Sequence, residues 1–328
     1  MRRHLASWAV VMTTAAASLG FAGAASASGP ATTTPSARST AKLYLANAFF
    51  LGANAVTVPG RPVQVTGYVR PYVAGQWVAV KDSVGGRLIK RDRLRVRPSR
   101  SGATGQFTET VTSPRPGLVT VTAVHARTAQ MLGFTAARRV AALSESVGFG
   151  STGAMVALLQ QRLNALHFYM PSSGVYDQQT GLAIDAYHRL LGHGVSQIAD
   201  PGTIGELLAG TGAFHVRYPG DGTHIEGDLG HQLLAEIYGS KVYRIYPISS
   251  GKPSTPTVLG RYSVYQRDPG YLPDGMYYSS FFTGGYAIHG YDPAPDYPAS
   301  HGCMRLPISD AISVYDWLAM GDRVDVYL

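Results

Sequence analysis

Two short runs near the C-terminus decide how this chain is read: Ala287-Ile288-His289-Gly290 and, across residues 291–299, Ser300-His301-Gly302-Cys303-Met304-Arg305. Cys303 is the only cysteine in 328 residues. A thiol is a good acyl-accepting nucleophile only as the thiolate, so it needs a base or a positive charge beside it. His289 is the natural partner, because imidazole exchanges its proton near neutral pH. Gly302 permits a tight turn that bares the sulfur and aims backbone N–H groups at the oxygen of a tetrahedral intermediate. Arg305, two residues on, alternates to the same face as Cys303 in an extended segment, where its fork suits a carboxylate.

Working outward, residues 215–328 read as mainly β with one late helix. Gln232–Tyr238 and Lys241–Ser249, split by Gly239-Ser240, form a hairpin. Val324, Val326 and Leu328 alternate as a final strand, and Ile308, Ile312, Tyr315 and Leu318 make a helical stripe after Pro307. Residues 147–210 are helical. Met155, Leu158, Leu159, Leu163 and Leu166 form one stripe, Asp177 caps a second helix, and Asp200-Pro201 opens a third. Three such short helices make a marginal bundle by themselves. Residues 41–140 carry short alternating runs such as Val63–Val69, Trp77–Val80 and Val119–Val124, punctuated by Pro59-Gly60, Gly85-Gly86 and Pro116-Gly117. That pattern predicts a small all-β sandwich.

The Ser/Thr/Pro-rich stretch 28–40 reads as a linker. Residues 1–27 read as a secretory signal: Arg2 and Arg3, an apolar run from about Leu5 to Phe21, then Ala25-Ser26-Ala27. An uncleaved membrane anchor is the alternative. A lone cysteine in an exported chain cannot close an intramolecular disulfide, which leaves an inert buried thiol or one kept for its chemistry.

The formal charge of +8 hides an asymmetry. Residues 41–140 hold 15 Lys/Arg against 3 Asp/Glu, whereas residues 141–328 hold 10 against 17. The excess gathers at Arg87, Lys90, Arg91, Arg93, Arg95, Arg97 and Arg100. For an exported chain without a nucleic-acid motif, an anionic wall polymer facing residues 87–100 is the expected partner, and nucleic acid is not. A solvated basic strand is the plain alternative. The histidines outside the two decisive runs show no metal-ligand spacing, and a monomer is expected.

The run from His289 to Arg305 resembles the YkuD-type L,D-transpeptidases, in which a His precedes Ser/Thr-His-Gly-Cys-x-Asn/Arg. Upstream, His224-Ile225-Glu226-Gly227-Asp228 resembles that family's opening strand. Tyr246–Thr257 with Gly260 resembles its Ser-x-Gly…Thr-Pro-x-Gly segment. Two departures are a short His289-to-Ser300 interval, implying a trimmed lid, and Arg305 where many members have Asn. Residues 147–210 are similar to the peptidoglycan-binding module of wall hydrolases, with Tyr187-His188 in place of the usual Phe-Gln. The β region resembles immunoglobulin-like spacer modules.

Together the resemblances imply a multidomain chain: signal 1–27, linker 28–40, immunoglobulin-like sandwich 41–140, three-helix peptidoglycan-binding module 147–210, and a mainly-β catalytic domain 215–328. They further imply that Cys303 attacks a tetrapeptide donor and expels D-alanine, and that His289 moves the proton. In this scheme the Gly290 carbonyl orients the ring, while His301 with the Gly302 and Cys303 amides serves the oxyanion. Arg305, Ser300 and Tyr286 would bind substrate, and no metal or cofactor is called for. The product is a 3→3 peptidoglycan cross-link. Water as acceptor would make a carboxypeptidase instead, and a degenerate domain would make a non-catalytic wall-binding protein. A sortase expects a Thr-Leu-x-Thr-Cys strand, absent here.

Overall fold

Alternation of period two sets in at Thr40. The computed structural model describes residues 38–328, so the signal segment and most of the linker lie outside the described residues. Ten strands precede the first helix: β1 (Thr40–Ala46), β2 (Phe49–Leu51), β3 (Asn54–Thr57), β4 (Pro62–Arg70), β5 (Trp77–Val84), β6 (Arg87–Arg95), β7 (Arg97–Pro98), β8 (Gly105–Thr112), β9 (Gly117–His125) and β10 (Phe134–Ala142). The linker reading ends too late. Ser39 is already buried with its hydroxyl donating to Leu132 O, and Thr40 already pairs with Arg70.

These strands form a four-stranded sheet, β1-β4-β8-β7, and a six-stranded sheet, β2-β3-β10-β9-β5-β6. Their alternating inner residues share one core, in which Val63, Val65, Val69 and Phe107 meet Val78, Val80, Val119 and Val121. Gly85 and Gly86, at φ 57° and 82°, make the two-residue turn between β5 and β6. Both central positions need positive φ there, which glycine adopts without a Cβ clash.

Three helices follow: α1 (Ala154–Ala165), α2 (Gln178–Leu191) and α3 (Pro201–Ala209). Asp177 and Asp200 cap the second and third, accepting from Thr180 N–H and Thr203 N–H at 2.9 and 2.8 Å. The helices do not close a core of their own. Leu158, Leu159, Leu163, Ile184 and Tyr187 belong to one buried cluster with Val56 and Val58 of the β region and Leu233, Ile237 and Ile245 beyond the helices. A segment marginal by itself is thus held between two sheet systems.

The last part comprises β11 (Thr223–Asp228), β12 (Leu233–Tyr238), β13 (Lys241–Pro247), β14 (Gly260–Ser263), β15 (Gln266–Tyr271), β16 (Tyr277–Thr283), β17 (Tyr286–Gly290), β18 (Met304–Leu306), α4 (Ile308–Trp317) and β19 (Arg323–Tyr327). One sheet runs β13-β12-β11-β19-β14 and the other β15-β16-β17-β18. Ile225, Leu234, Ile288, Met304, Leu306 and Val324 fill the core between them. The region is mainly β with one late helix.

Two expected inward positions face solvent. Ile312 is exposed, because α4 buries Asp310, Ala311 and Val314 instead, with Asp310 drawn to Gln179 Nε2 of α2 at 3.0 Å. Leu328 lies beyond the last strand pairing and is also exposed.

The helices are stitched to this region. Tyr169 N–H donates to Ile245 O at 3.0 Å, and Ile245 N–H donates to His167 O at 2.8 Å. Buried Arg189 pairs with Asp185 at 2.6 Å and donates to the carbonyls of Gln232 and Ile248 at 3.2 and 2.9 Å.

Candidate active site

Strands β17 and β18 run parallel, with Ile288 opposite Met304, His289 opposite Arg305 and Gly290 opposite Leu306. A parallel pair cannot be joined by a tight turn and needs a crossover of about a dozen residues or more. Residues 291–303 supply it. Side-chain alternation sends Ile288, Met304 and Leu306 into the core and places His289 and Arg305 on the opposite face, with Cys303 at the mouth of β18.

The turn before the cysteine is built by Ser300 and Gly302. Ser300 Oγ accepts Gly302 N–H at 3.0 Å and donates to Cys303 O at 2.6 Å. Gly302 has φ 121°, and any Cβ there would collide with the Tyr286 ring. No residue but glycine fits this site without moving Tyr286.

A second segment straps the turn from behind. Ser249 exchanges both backbone hydrogen bonds with Arg305 at 2.9 Å, and Ser250 O accepts from Ala299 N–H and Ser300 N–H at 2.9 and 3.0 Å. Thr255 Oγ1 donates to Ser300 O at 3.1 Å. Gly251 N–H donates to Thr257 Oγ1 at 2.8 Å, so the Ser249–Thr257 stretch folds on itself as it holds the loop.

His289 is buried, and its Nδ1 lies 2.9 Å from Gly290 O. A carbonyl only accepts, so Nδ1 carries the proton and Nε2 keeps a free lone pair. Burial holds the imidazole below its ordinary range, and the guanidinium of Arg305 pushes the same way. Cys303 is partly exposed, with Sγ 3.8 Å from Gly285 O. Burial pushes its thiol up, against the Ala287 N–H and the Arg305 charge, which favour the thiolate. The pair therefore rests as neutral thiol and neutral imidazole, a state in which the sulfur must lose its proton during reaction.

Arg305 lies with its guanidinium carbon 3.9 Å from the centroid of the Tyr291 ring, and Tyr291 meets His289 edge-on at 5.8 Å. Arg305 forms no salt bridge among the described residues, and its buried Nε has no hydrogen-bond partner. An aromatic face orients the cation without neutralising it.

Two expectations change at this level. Ser300 is fully buried and spends its hydroxyl inside the turn, so it shapes the site and does not reach a ligand. The Gly302 amide, expected at the oxyanion, is taken by Ser300 Oγ. Tyr286, expected at the substrate, is half-buried with its ring against Gly302. His301 is exposed and receives Lys252 Nζ on Nε2 at 3.2 Å. The register sets His289 beside Arg305, Gly290 O holds the His289 ring, and the Arg305 charge acts on both His289 and Cys303.

Sequence reasoning did not single out exposed Asp274, whose negative charge is the smallest of the influences on Cys303 and His289 and acts against that of Arg305. It sits in the β15–β16 turn, next to Gly275, which abuts Tyr291. The Leu272–Gly275 run reads as a turn, but nothing in it says which face it closes over.

A mainly-β domain with a cysteine and a carbonyl-pinned histidine at adjacent parallel strands defines the class of site. The comparisons give the family. Residues 222–326 match the model of YkuD, the L,D-transpeptidase catalytic domain. The chain is 35% identical over 107 residues to the YkuD protein of Bacillus subtilis, a match covering 31% of this chain. It spans 65%, just under two thirds, of that curated relative. It is 31% identical to the crystal structure of an L,D-transpeptidase from Xylanimonas cellulosilytica, with a TM-score of 0.51, covering 56% of this chain and 98% of that one. The catalytic domain of the Enterococcus faecium L,D-transpeptidase is 28% identical over 33% of this chain and 98% of its own, with a TM-score of 0.29. The chain belongs to the L,D-transpeptidase family, its YkuD catalytic domain lying at residues 222–326.

Proposed function

We propose that this protein is an exported L,D-transpeptidase that forms 3→3 peptidoglycan cross-links through a thioester on Cys303. The observation that carries the reading is the tautomer of His289. With Nδ1–H fixed on Gly290 O, Nε2 is the only ring position that can take a proton, and the reading is supported by His289 standing opposite Arg305, two residues from Cys303.

In this reading Nε2 removes the thiol proton as Sγ attacks the third-residue carbonyl of a tetrapeptide stem. The same proton then goes to the amine of the departing D-alanine. An acceptor amine next attacks the thioester, gives its proton to Nε2, and the sulfur leaves. No redox step or metal is involved. Arg305, unpaired and stacked on Tyr291, holds a donor carboxylate. With Gly302 N–H engaged, the Cys303 N–H and the exposed His301 remain as candidates for the oxyanion.

The remaining parts fit wall work. Residues 1–27 are read as the export signal, 28–38 as the linker, 41–140 as an immunoglobulin-like spacer and 147–210 as a peptidoglycan-binding module. We also read the basic run at 87–100 as facing an anionic wall polymer.

The test is acylation by a carbapenem, followed by intact mass. Wild type should gain one adduct and Cys303→Ala none. An unmodified wild type, or an adduct retained by Cys303→Ala, would sink the assignment. Incubation with tetrapeptide, with and without an amine acceptor, then separates cross-linking from hydrolysis by the product formed.

A further inference from the structure

The cleft with the most convergent chemistry away from the thiol lies at one end of the six-stranded sheet. It encloses about 650 Å³, a volume suited to holding a small ligand or one or two polymer repeats. Ala79 and Val124 line its floor, the half-exposed indole of Trp77 forms a wall, and Arg91 and Arg93 stand over it, with Asp92, Gln76 and Met131 also in the lining. The register explains the convergence. Arg91, Arg93 and Arg95 stand opposite Lys81, Ala79 and Trp77, so alternation brings the guanidinium groups to the sheet face that carries the indole.

Arg93 lies 5.1 Å from the Trp77 ring centroid. None of Arg91, Arg93 and Arg95 forms a salt bridge among the described residues. Their donors are therefore free for an anion.

Trp77 adds the second element, a half-exposed ring face beside the Arg91 and Arg93 guanidinium groups. His125, next to Val124 on β9, alternates to the opposite face, where its ring stacks on Phe134 at 5.4 Å.

We propose that this cleft binds an acidic glycan. A sugar ring lies on the Ala79–Val124 floor against Trp77, and a carboxylate or phosphodiester meets Arg91 and Arg93. The inference rests on the reading of residues 87–100 as facing an anionic wall polymer, and gives that reading a site and a ligand chemistry. A bare polyanion needs the arginines but not the indole.

Calorimetric titration of the full chain at fixed ionic strength tests this, using polygalacturonate, a glycosylated poly(ribitol phosphate), and dextran as the neutral control. At least one acidic glycan should bind, and dextran should not. Preference for the first identifies a carboxylate source, and preference for the second a phosphodiester source. Trp77→Ala and the pair Arg91→Gln/Arg93→Gln should each weaken binding about tenfold, the size of a hot-spot loss. Arg87→Gln/Arg100→Gln removes equal charge outside the cleft and should change binding by less than about twofold, as expected of charges beyond the contact. If wild type binds neither acidic polymer, the reading of the basic run falls. If both polymers bind, but Trp77→Ala is silent and Arg87→Gln/Arg100→Gln is as costly as the cleft pair, the cleft falls and the run stands.

Discussion

Nδ1 of His289 donates to the carbonyl oxygen of Gly290, the next residue in the chain, at 2.9 Å. A backbone oxygen thus does the orienting that a carboxylate performs in a Ser-His-Asp site, without adding a charge. An uncharged orienter leaves burial free to hold the imidazole down. The acid limb of the acylation rate should therefore fall below pH 6.5, because only the neutral ring can accept the thiol proton. Measuring adduct formation from pH 4 to 8 checks this, and a midpoint at or above 6.5 would contradict it.

The Cys303 thiol is pushed up by burial, so it should react slowly with iodoacetamide at pH 7 and faster only above about pH 9. Replacing His289 by Ala should cut acylation by about 10²- to 10⁴-fold, the usual worth of a general base, with little change in melting temperature. A loss below tenfold would mean that another group takes the proton.

Gly302→Ala places a methyl group into the Tyr286 ring at a positive φ. The expected cost is about 1–3 kcal/mol in stability, together with a displaced sulfur and slow acylation. Tyr286→Ala in the same chain removes the collision and should restore part of both. Thermal unfolding and adduct rates on the two variants decide it, and no rescue would place the defect elsewhere.

Ser300→Ala removes one donor and one acceptor from a buried turn. Leaving those partners unpaired should cost about 1–3 kcal/mol by denaturant unfolding. Ser300→Thr keeps the hydroxyl and should retain acylation. Equal losses in both variants would show that volume, not hydrogen bonding, governs the turn.

Glu236 is buried, accepts from Tyr246 OH at 3.1 Å, and its other oxygen has no partner. Burial pushes its carboxyl up to about 8. The folded chain then keeps a proton that the unfolded chain releases above the ordinary value of 4.5. This group's contribution is full below that value and is lost as pH rises toward about 8. Asp310, pushed up to about 7, has the same sign. Unfolding free energy should therefore decline between pH 5 and 8, and Glu236→Gln should flatten the decline. An unchanged slope in that variant would assign it to other groups.

Much of this was legible in the linear chain. The strands of the β region, the hairpin around Gly239-Ser240 and the caps at Asp177 and Asp200 follow from local alternation and local hydrogen bonding, and they stand where expected. The expectation that His289 serves Cys303 rested on chemistry alone, because a lone thiol needs a base beside it to act as a nucleophile. Ile312 was misread because a helical stripe gives a period but not the rotation of the helix, which the contact of Asp310 with Gln179 fixes. Ser300 was misread because residue type shows capacity to bind, while burial decides whether a ligand can reach it.

The sequence by itself determined which elements form and which residue types meet at the signature, since both depend on neighbours a few positions apart. The tertiary structure alone decided the His289 tautomer, the neutral resting pair and the Ser249 strap behind Arg305. It also decided the shared core that holds the helices. Each of these depends on long-range register and on how much water burial removes, and neither quantity is written in local spacing.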